Sequence, residues 1–272
     1  MRPGPGLWRA DKRLGQHFLF DPSILARIVA AAGPLAGETV LEVGPGPGGL
    51  TRAILAGDAA RLVAIDADAR SIAALRPLEE QQAGRLRLVE GDALALDPAS
   101  LGAERLTVIA NLPYNVGTEL LLRWLTAPAV FRLMVLMFQR EVALRLVAAP
   151  DTSDYGRLTV MAQSMCRVER LFDLPPGAFV PPPTVSSSVV RLTPRHDRPD
   201  ERQRRLLEEV ARAAFGQRRK MLRTSLAGLG VDSHELLDRA GIEPTRRAET
   251  LSLVEFASLA AMLAKLRSGG TA

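Results

Sequence analysis

The 272-residue chain contains one cysteine, three histidines and three lysines, and each scarcity removes a class of explanation. Cys166 alone permits no internal disulfide, and no metal-ligand spacing surrounds it. His17, His196 and His234 are scattered along the chain, so no metal site is expected. Long apolar runs are missing too. The strongest, Phe131–Phe138, is interrupted by Arg132 and is far too short to span a bilayer. The first nine residues, Met1 to Arg9, lack the apolar stretch of a secretory signal. A cytoplasmic protein with no membrane partner is therefore expected.

What is present is 47% hydrophobic and 24% charged, a globular balance with length enough for one large domain and a small one. Of 35 Lys and Arg residues all but three are Arg, as a GC-rich coding sequence would give. The net charge of +5 favours a polyanionic partner, but clustering of the cations says more than their total.

Strand-like runs at Thr39–Val43, Arg61–Ile65, Arg85–Val89, Leu106–Ala110 and Leu133–Phe138 alternate with helical patterns near residues 49–56, 69–76, 117–126 and 140–148. Such alternation predicts an α/β fold, a parallel sheet with helices on both faces. Asp21-Pro22 reads as an N-cap with proline at the first helical position, opening a helix over 22–32. Met165–Leu171 and Ser186–Leu192 are two further strands, the second entered through Pro181-Pro182-Pro183. Thr193–Asp200 is a polar, proline-punctuated linker, and beyond it the pattern is only helical, with Ser252 and Glu255 forming a capping box. The predicted domains are 1–195, α/β and catalytic, and 196–272, helical and basic.

The first strand runs through Glu42 into Gly44-Pro-Gly-Pro-Gly-Gly49 and then a helix. Glycines there let the backbone pass close to a ligand at the strand's carboxyl end. Gly44, Gly46 and Gly49 satisfy the dinucleotide fingerprint, and Asp66 follows where a ribose-binding acid belongs. The loop by itself suits NAD or S-adenosylmethionine. Two details favour the second. Pro45 and Pro47 remove backbone N–H donors that would cradle a pyrophosphate, and Glu42 would repel one while attracting a sulfonium and an amino group. Asp92, after the third strand, could accept from an adenine amine. The fourth strand ends in Asn111-Leu-Pro-Tyr114, an amide, a carbonyl and an aromatic face suited to a flat base bearing an exocyclic amine. Pro113 biases Leu112 toward extended geometry, which would aim its carbonyl. Any one of these is an ordinary turn; acids at three successive strand ends followed by Asn111 are not.

With these motifs the chain resembles the ribosomal RNA adenine N6-dimethyltransferases, the dimethyladenosine transferase family, in its bacterial small-subunit branch. The resemblance spans nearly the whole chain. It rests on Leu14-Gly-Gln-His-Phe-Leu19, on Glu42–Thr51, on Asn111–Tyr114, on Phe179-Val-Pro-Pro-Pro-Thr-Val-Ser-Ser187 and on Ala214–Leu222. It implies a Rossmann-like S-adenosylmethionine methyltransferase sheet with a small all-α C-terminal domain. It further implies N6,N6-dimethylation of two adjacent adenosines in a 3′-terminal hairpin loop of 16S rRNA, within an immature small ribosomal subunit, by a monomeric enzyme. His17, Leu19, Glu42, Gly44, Gly46, Asp66, Asp92 and Asn111 would hold S-adenosylmethionine. Asn111, Leu112 and Tyr114 would hold the target adenine, with Phe179 as a second stacking wall. His17 stands where Asn is common in the family, and Asp66, one methylene shorter, where Glu is common.

For RNA contact, Arg218, Arg219, Lys220 and Arg223 form the densest basic cluster, in a domain that also carries Arg202, Arg204, Arg205 and Arg212. Three other classes compete. An NAD oxidoreductase leaves Asn111–Tyr114 unexplained, a DNA adenine methyltransferase would share the base pocket, and an RNA-binding assembly factor would not need the pocket intact.

Overall fold

The computed structural model describes residues 16–269. Leu14 and Gly15 of the first motif, and the N-terminal residues read for a signal, lie outside the described residues. In chain order the elements are β1 (Phe18–Leu19), α1 (Pro22–Ala30), β2 (Thr39–Val43), α2 (Gly49–Leu55), β3 (Arg61–Asp66), α3 (Ala69–Gln81), β4 (Leu86–Glu90) and β5 (Leu106–Asn111). There follow α4 (Gly117–Trp124), β6 (Phe131–Gln139), α5 (Arg140–Val147), α6 (Arg157–Met165), β7 (Cys166–Leu174), β8 (Phe179–Val180) and β9 (Ser187–Pro194). The chain then turns helical: α7 (Glu201–Gly216), α8 (Leu222–Ser225), α9 (Ser233–Ala240) and α10 (Leu253–Gly269).

Seven strands form one sheet in the order β4-β3-β2-β5-β6-β9-β7. The pairs β4·β3, β3·β2, β2·β5 and β5·β6 are parallel, and β6·β9 is antiparallel. The central strands read as continuous apolar runs because helices cover both faces; Val40, Leu41, Leu62, Val63, Val108 and Ile109 are fully buried. The strand order reverses between β2 and β5, so their carboxyl ends open the crevice where such sheets bind ligands.

Local chemistry sets the helix ends. Asp21 Oδ1 accepts from the backbone N–H of Ser23 at 2.8 Å and of Ile24 at 3.3 Å, starting α1 at Pro22 as expected. Two helices depart from the sequence reading. The helix expected to stop at residue 76 continues through Pro77, because Leu75 and Leu78 are both buried on the sheet and the proline lies between them. The other is α6, which the sequence reading lacked. Its first-turn Thr159 hydroxyl donates to the Arg145 carbonyl at 2.6 Å, and Gln163 donates to the carbonyls of Leu146 and Ala148.

The described chain divides into two compact units. One comprises residues up to Ala143 with Val168–Pro194; the other is Leu144–Arg167 with residues from Arg195 onward. The last of the three crossings, at 194/195, lies beside the expected boundary at 195/196. Residues 144–167, expected in the first domain, belong to the helical unit, through the packing of α6 within it.

Candidate active site

At the carboxyl ends of β2 to β5 the first unit encloses a cavity of about 240 Å³. Four of its walls are the strand ends read from sequence: Gly44 and Gly46 after β2, Asp66 closing β3, Asp92 after β4 and Asn111 closing β5. His17, Leu112 and Tyr114 line it as well.

The loop after β2 needs its glycines. Gly44 and Gly46 have φ of +71° and +52°, the left-handed region that side chains rarely adopt. A Cβ on Gly46 would stand 2.5 Å from Phe18 Cε1. The Gly46 N–H donates to Asp66 Oδ2 at 3.3 Å, and the Asp68 N–H to Asp66 Oδ1 at 2.9 Å, so the loop and the acid fix one another. Burial raises the Asp66 carboxyl above the ordinary range, against the pull of these N–H groups.

Glu42, on β2, is 1% exposed, and among the described residues neither carboxylate oxygen has a hydrogen-bond partner. Burial pushes its carboxyl up to about 8; the neighbouring Thr51 pulls it down, and the charge of Asp66 adds to the rise. It lies in a small cleft with Gly44, Gly49, Leu19 and Asn111, next to the main cavity and not in its wall. Two acids, Asp66 partly and Glu42 fully desolvated, and a glycine cradle in which a Cβ would clash suit a ligand that is flat, hydroxylated and positively charged at one end. S-adenosylmethionine fits that description.

At the β5 end, Asn111 Nδ2 donates to the His17 carbonyl at 2.8 Å, which leaves Oδ1 as the acceptor. Tyr114 donates to or accepts from the Ser187 hydroxyl and has its ring centroid 5.2 Å from that of His17, tilted by 31°. Burial raises the Tyr114 phenol, opposed by Ser187. His17 Nδ1 is bonded to the Pro181 carbonyl at 2.8 Å.

Besides Glu42, two expected site residues lie outside the main cavity. Leu19 is buried in the apolar core and touches only the cleft beside Glu42. Phe179, expected as a stacking wall, is 2% exposed in that same core. The cause is a short antiparallel pairing, Phe18 with Val180 and Leu19 with Phe179, which draws Phe179 under the β1 segment. Sequence reasoning also missed Gln16, whose Nε2 donates to Asp68 Oδ2 at 3.1 Å beside the cavity, and Ser187, the last residue of the Phe179–Ser187 motif. Among the described residues no group of His, Cys, Asp and Glu could hold a metal ion, and no helix is long and apolar enough to cross a membrane.

In the helical unit, Arg218, Arg219 and Lys220 sit on the exposed connection between α7 and α8, and Arg223 on α8. They occupy a turn, not the face of a long helix. Arg218 donates to the Ser153 carbonyl at 2.6 Å. No ion pair to Arg219, Lys220 or Arg223 occurs among the described residues. Of the supporting arginines, Arg204 is 7% exposed and bonded to Glu201 and Glu208, and Arg205 is paired with Glu201 at 2.6 Å. Both are engaged inside α7, where i,i+3 and i,i+4 spacing brings acids to them.

A Rossmann-like sheet with a glycine loop after β2, acids at the next two strand ends and Asn-Leu-Pro-Tyr at the fourth defines an S-adenosylmethionine-dependent methyltransferase. Residues 8–265 match the family described as ribosomal RNA adenine dimethylase. Ribosomal RNA small subunit methyltransferase A of Bradyrhizobium diazoefficiens is 53% identical over 265 residues, 96% of this chain and 93% of that protein. The protein of that name from Rhodopseudomonas palustris is 53% identical over 263 residues, 95% of this chain and 91% of its own length. Among solved structures, a dimethyladenosine transferase from Plasmodium falciparum superposes with a TM-score of 0.79 at 26% identity, covering 92% of this chain and 98% of its own. The 23S rRNA methyltransferase ErmE shares the fold, with a TM-score of 0.69 at 24% identity over 91% of this chain and 99% of its own. The chain belongs to the ribosomal RNA adenine dimethylase family.

Proposed function

We propose that the protein dimethylates N6 of two adjacent adenosines in a 3′-terminal hairpin loop of 16S rRNA, on an immature small ribosomal subunit. The observation that carries this reading is the meeting of the Asn111–Tyr114 turn with Gly44, Asp66 and Asp92 in one cavity. In this reading Gly44 and Gly46 pass against the methionine end of the cofactor, and Glu42, which by itself keeps its proton up to about pH 8, releases it to solvent as the cationic ligand binds and then faces that ligand with a negative charge. Asp66 accepts from the ribose hydroxyls, and Asp92 from the adenine amine. His17 closes the side of the pocket.

Bound there, S-adenosylmethionine supplies a methyl group on a sulfonium, open to in-line displacement. The protein's part is placement. Asn111 Oδ1 and the Leu112 carbonyl accept the N–H groups of the target amine, drawing its lone pair out of conjugation with the ring. Tyr114 stacks on the flipped adenine. Arg219, Lys220 and Arg223 contact phosphates, which orient an RNA without reading its bases. The helical unit is thus the docking part, and the α/β unit the catalytic one. The enzyme works as a monomer in the cytoplasm and without a metal ion.

The test is to incubate the protein with methyl-labelled S-adenosylmethionine and unmethylated small subunits, then map the product. Two adjacent N6,N6-dimethyladenosines near the 3′ end of 16S rRNA are expected. Label confined to duplex DNA supplied in parallel, or to another ribosomal RNA, would overturn the reading.

A further inference from the structure

The motif Phe179–Ser187 acts on the pocket by a route other than the one its phenylalanine suggests. Phe179 is a core residue, yet two later atoms of the motif reach groups in the cavity wall. The Pro181 carbonyl is bonded to the His17 ring, and the Ser187 hydroxyl to Tyr114. The His17 and Tyr114 rings in turn lie against each other. We propose that Ser187 is a positioning residue for methyl transfer: through the Tyr114 hydroxyl it fixes the ring on which the target adenine stacks. This deepens the reading above and rests on it.

Ser187 is well placed for such a task. It is fully buried and opens β9, whose register pairs it with Gln139 at the end of β6. Its backbone is therefore set by the sheet, and its hydroxyl has one staggered torsion to select. Tyr114, by contrast, follows β5 in an irregular turn, where two side-chain torsions must otherwise be fixed by packing alone. A hydrogen bond from a sheet residue to the tip of the ring removes that freedom before substrate arrives, so less is lost on binding. The Asn111 side chain is tied down comparably, through the His17 carbonyl. Both proposed base-holding side chains are thus anchored by residues distant in sequence.

A merely structural role, satisfying a half-buried phenol, is the competing account. The chain has two tyrosines, and the other, Tyr155, is fully buried with no hydrogen-bond partner for its hydroxyl among the described residues. This fold therefore tolerates a buried phenol with no partner, and the bond at Tyr114 asks for another reason.

The experiment compares wild type, Ser187→Ala, Tyr114→Phe and the double variant. Each is measured for kcat, KM for small subunits and S-adenosylmethionine affinity. Tyr114→Phe keeps the ring and removes the bond from its other end, so it reports even if Ser187→Ala folds poorly. Each single change should lower kcat roughly 3- to 10-fold, the range that one missing hydrogen bond allows. Cofactor affinity should be unchanged, and the double variant should be no worse than the singles. A second readout needs no turnover. With ring-labelled tyrosine the NMR spectrum holds two sets of signals, and Ser187→Ala should shift and broaden those of Tyr114 while leaving Tyr155 unmoved. Multiplying effects in the double variant, or an unmoved Tyr114 signal, would overturn the proposal. A wild-type protein that methylates no small subunits would count against the functional reading instead, and the Tyr114 signal would still decide whether Ser187 holds the ring.

Discussion

Glu42→Gln probes a carboxyl that is buried with no hydrogen-bond partner among the described residues and whose pKa rises from 4.5 to about 8. At about 1.4 kcal/mol per pH unit, that rise is worth about 5 kcal/mol. The sign follows from counting protons. Below pH 4.5 both folded and unfolded chains hold the proton, and the group contributes no pH dependence. Between there and about 8 the unfolded chain has released it while the folded chain keeps it, so stability falls as pH rises. Above about 8 the whole penalty is present. Gln has the same shape and cannot ionise. Its buried amide carries unmet hydrogen bonds of its own, but that cost does not vary with pH. The stability of Glu42→Gln relative to wild type should therefore climb by several kcal/mol between about pH 5 and about pH 8.5, approaching the ~5 kcal/mol ceiling. Urea unfolding at each pH measures it directly. Parallel pH profiles for the two proteins would show that the fold does not hold the Glu42 proton. The functional counterpart is weaker S-adenosylmethionine binding, since the amide offers a cationic ligand no charge.

Further outcomes follow from the same geometry. Asp66→Ala should weaken S-adenosylmethionine binding by about 1.5–3 kcal/mol in a calorimetric titration, the range for hydrogen bonds to a charged group. Gly46→Ala should cost about 1–2 kcal/mol of backbone strain and displace Phe18 from the cavity wall, visible as a lower melting temperature together with weaker cofactor binding. Replacing Arg219, Lys220 and Arg223 by Ala should reduce the log–log salt slope of subunit binding by roughly 0.7–0.9 for each phosphate no longer neutralised, with cofactor affinity unchanged. Arg218→Ala should instead loosen residues 152–153, detectable as faster hydrogen exchange there, because that guanidinium holds their carbonyls.

The sheet was legible because each central strand is an apolar run bounded by turn residues, and because a parallel sheet must alternate with helices. The cofactor side of the pocket was legible for a related reason. Its residues sit at the strand ends that such a sheet brings together, so Gly44, Asp66, Asp92 and Asn111 could be placed from strand order alone. What escaped depends on pairings distant in sequence. Phe179 looks like an aromatic wall until Leu19 pairs with it across a two-residue bridge. Arg204 looks like a free cation until the helix turns Glu201 and Glu208 toward it. Segment 144–167 gives no local sign that it belongs with the helical unit, because its hydrogen bonds come from the tertiary packing of α6. Pro77 reads as a helix end because its local penalty is plain, whereas the burial of Leu75 and Leu78 that outweighs it is not.

The proposed methyl transfer requires Asn111 to hold the reacting amine more strongly in the transition state than in the ground state. Asn111→Ala tests it when dimethyladenosine formation on small subunits and S-adenosylmethionine affinity are measured on one preparation. The methylation rate should fall far more than cofactor affinity does. Normal turnover of bound substrate with abolished cofactor affinity would contradict it.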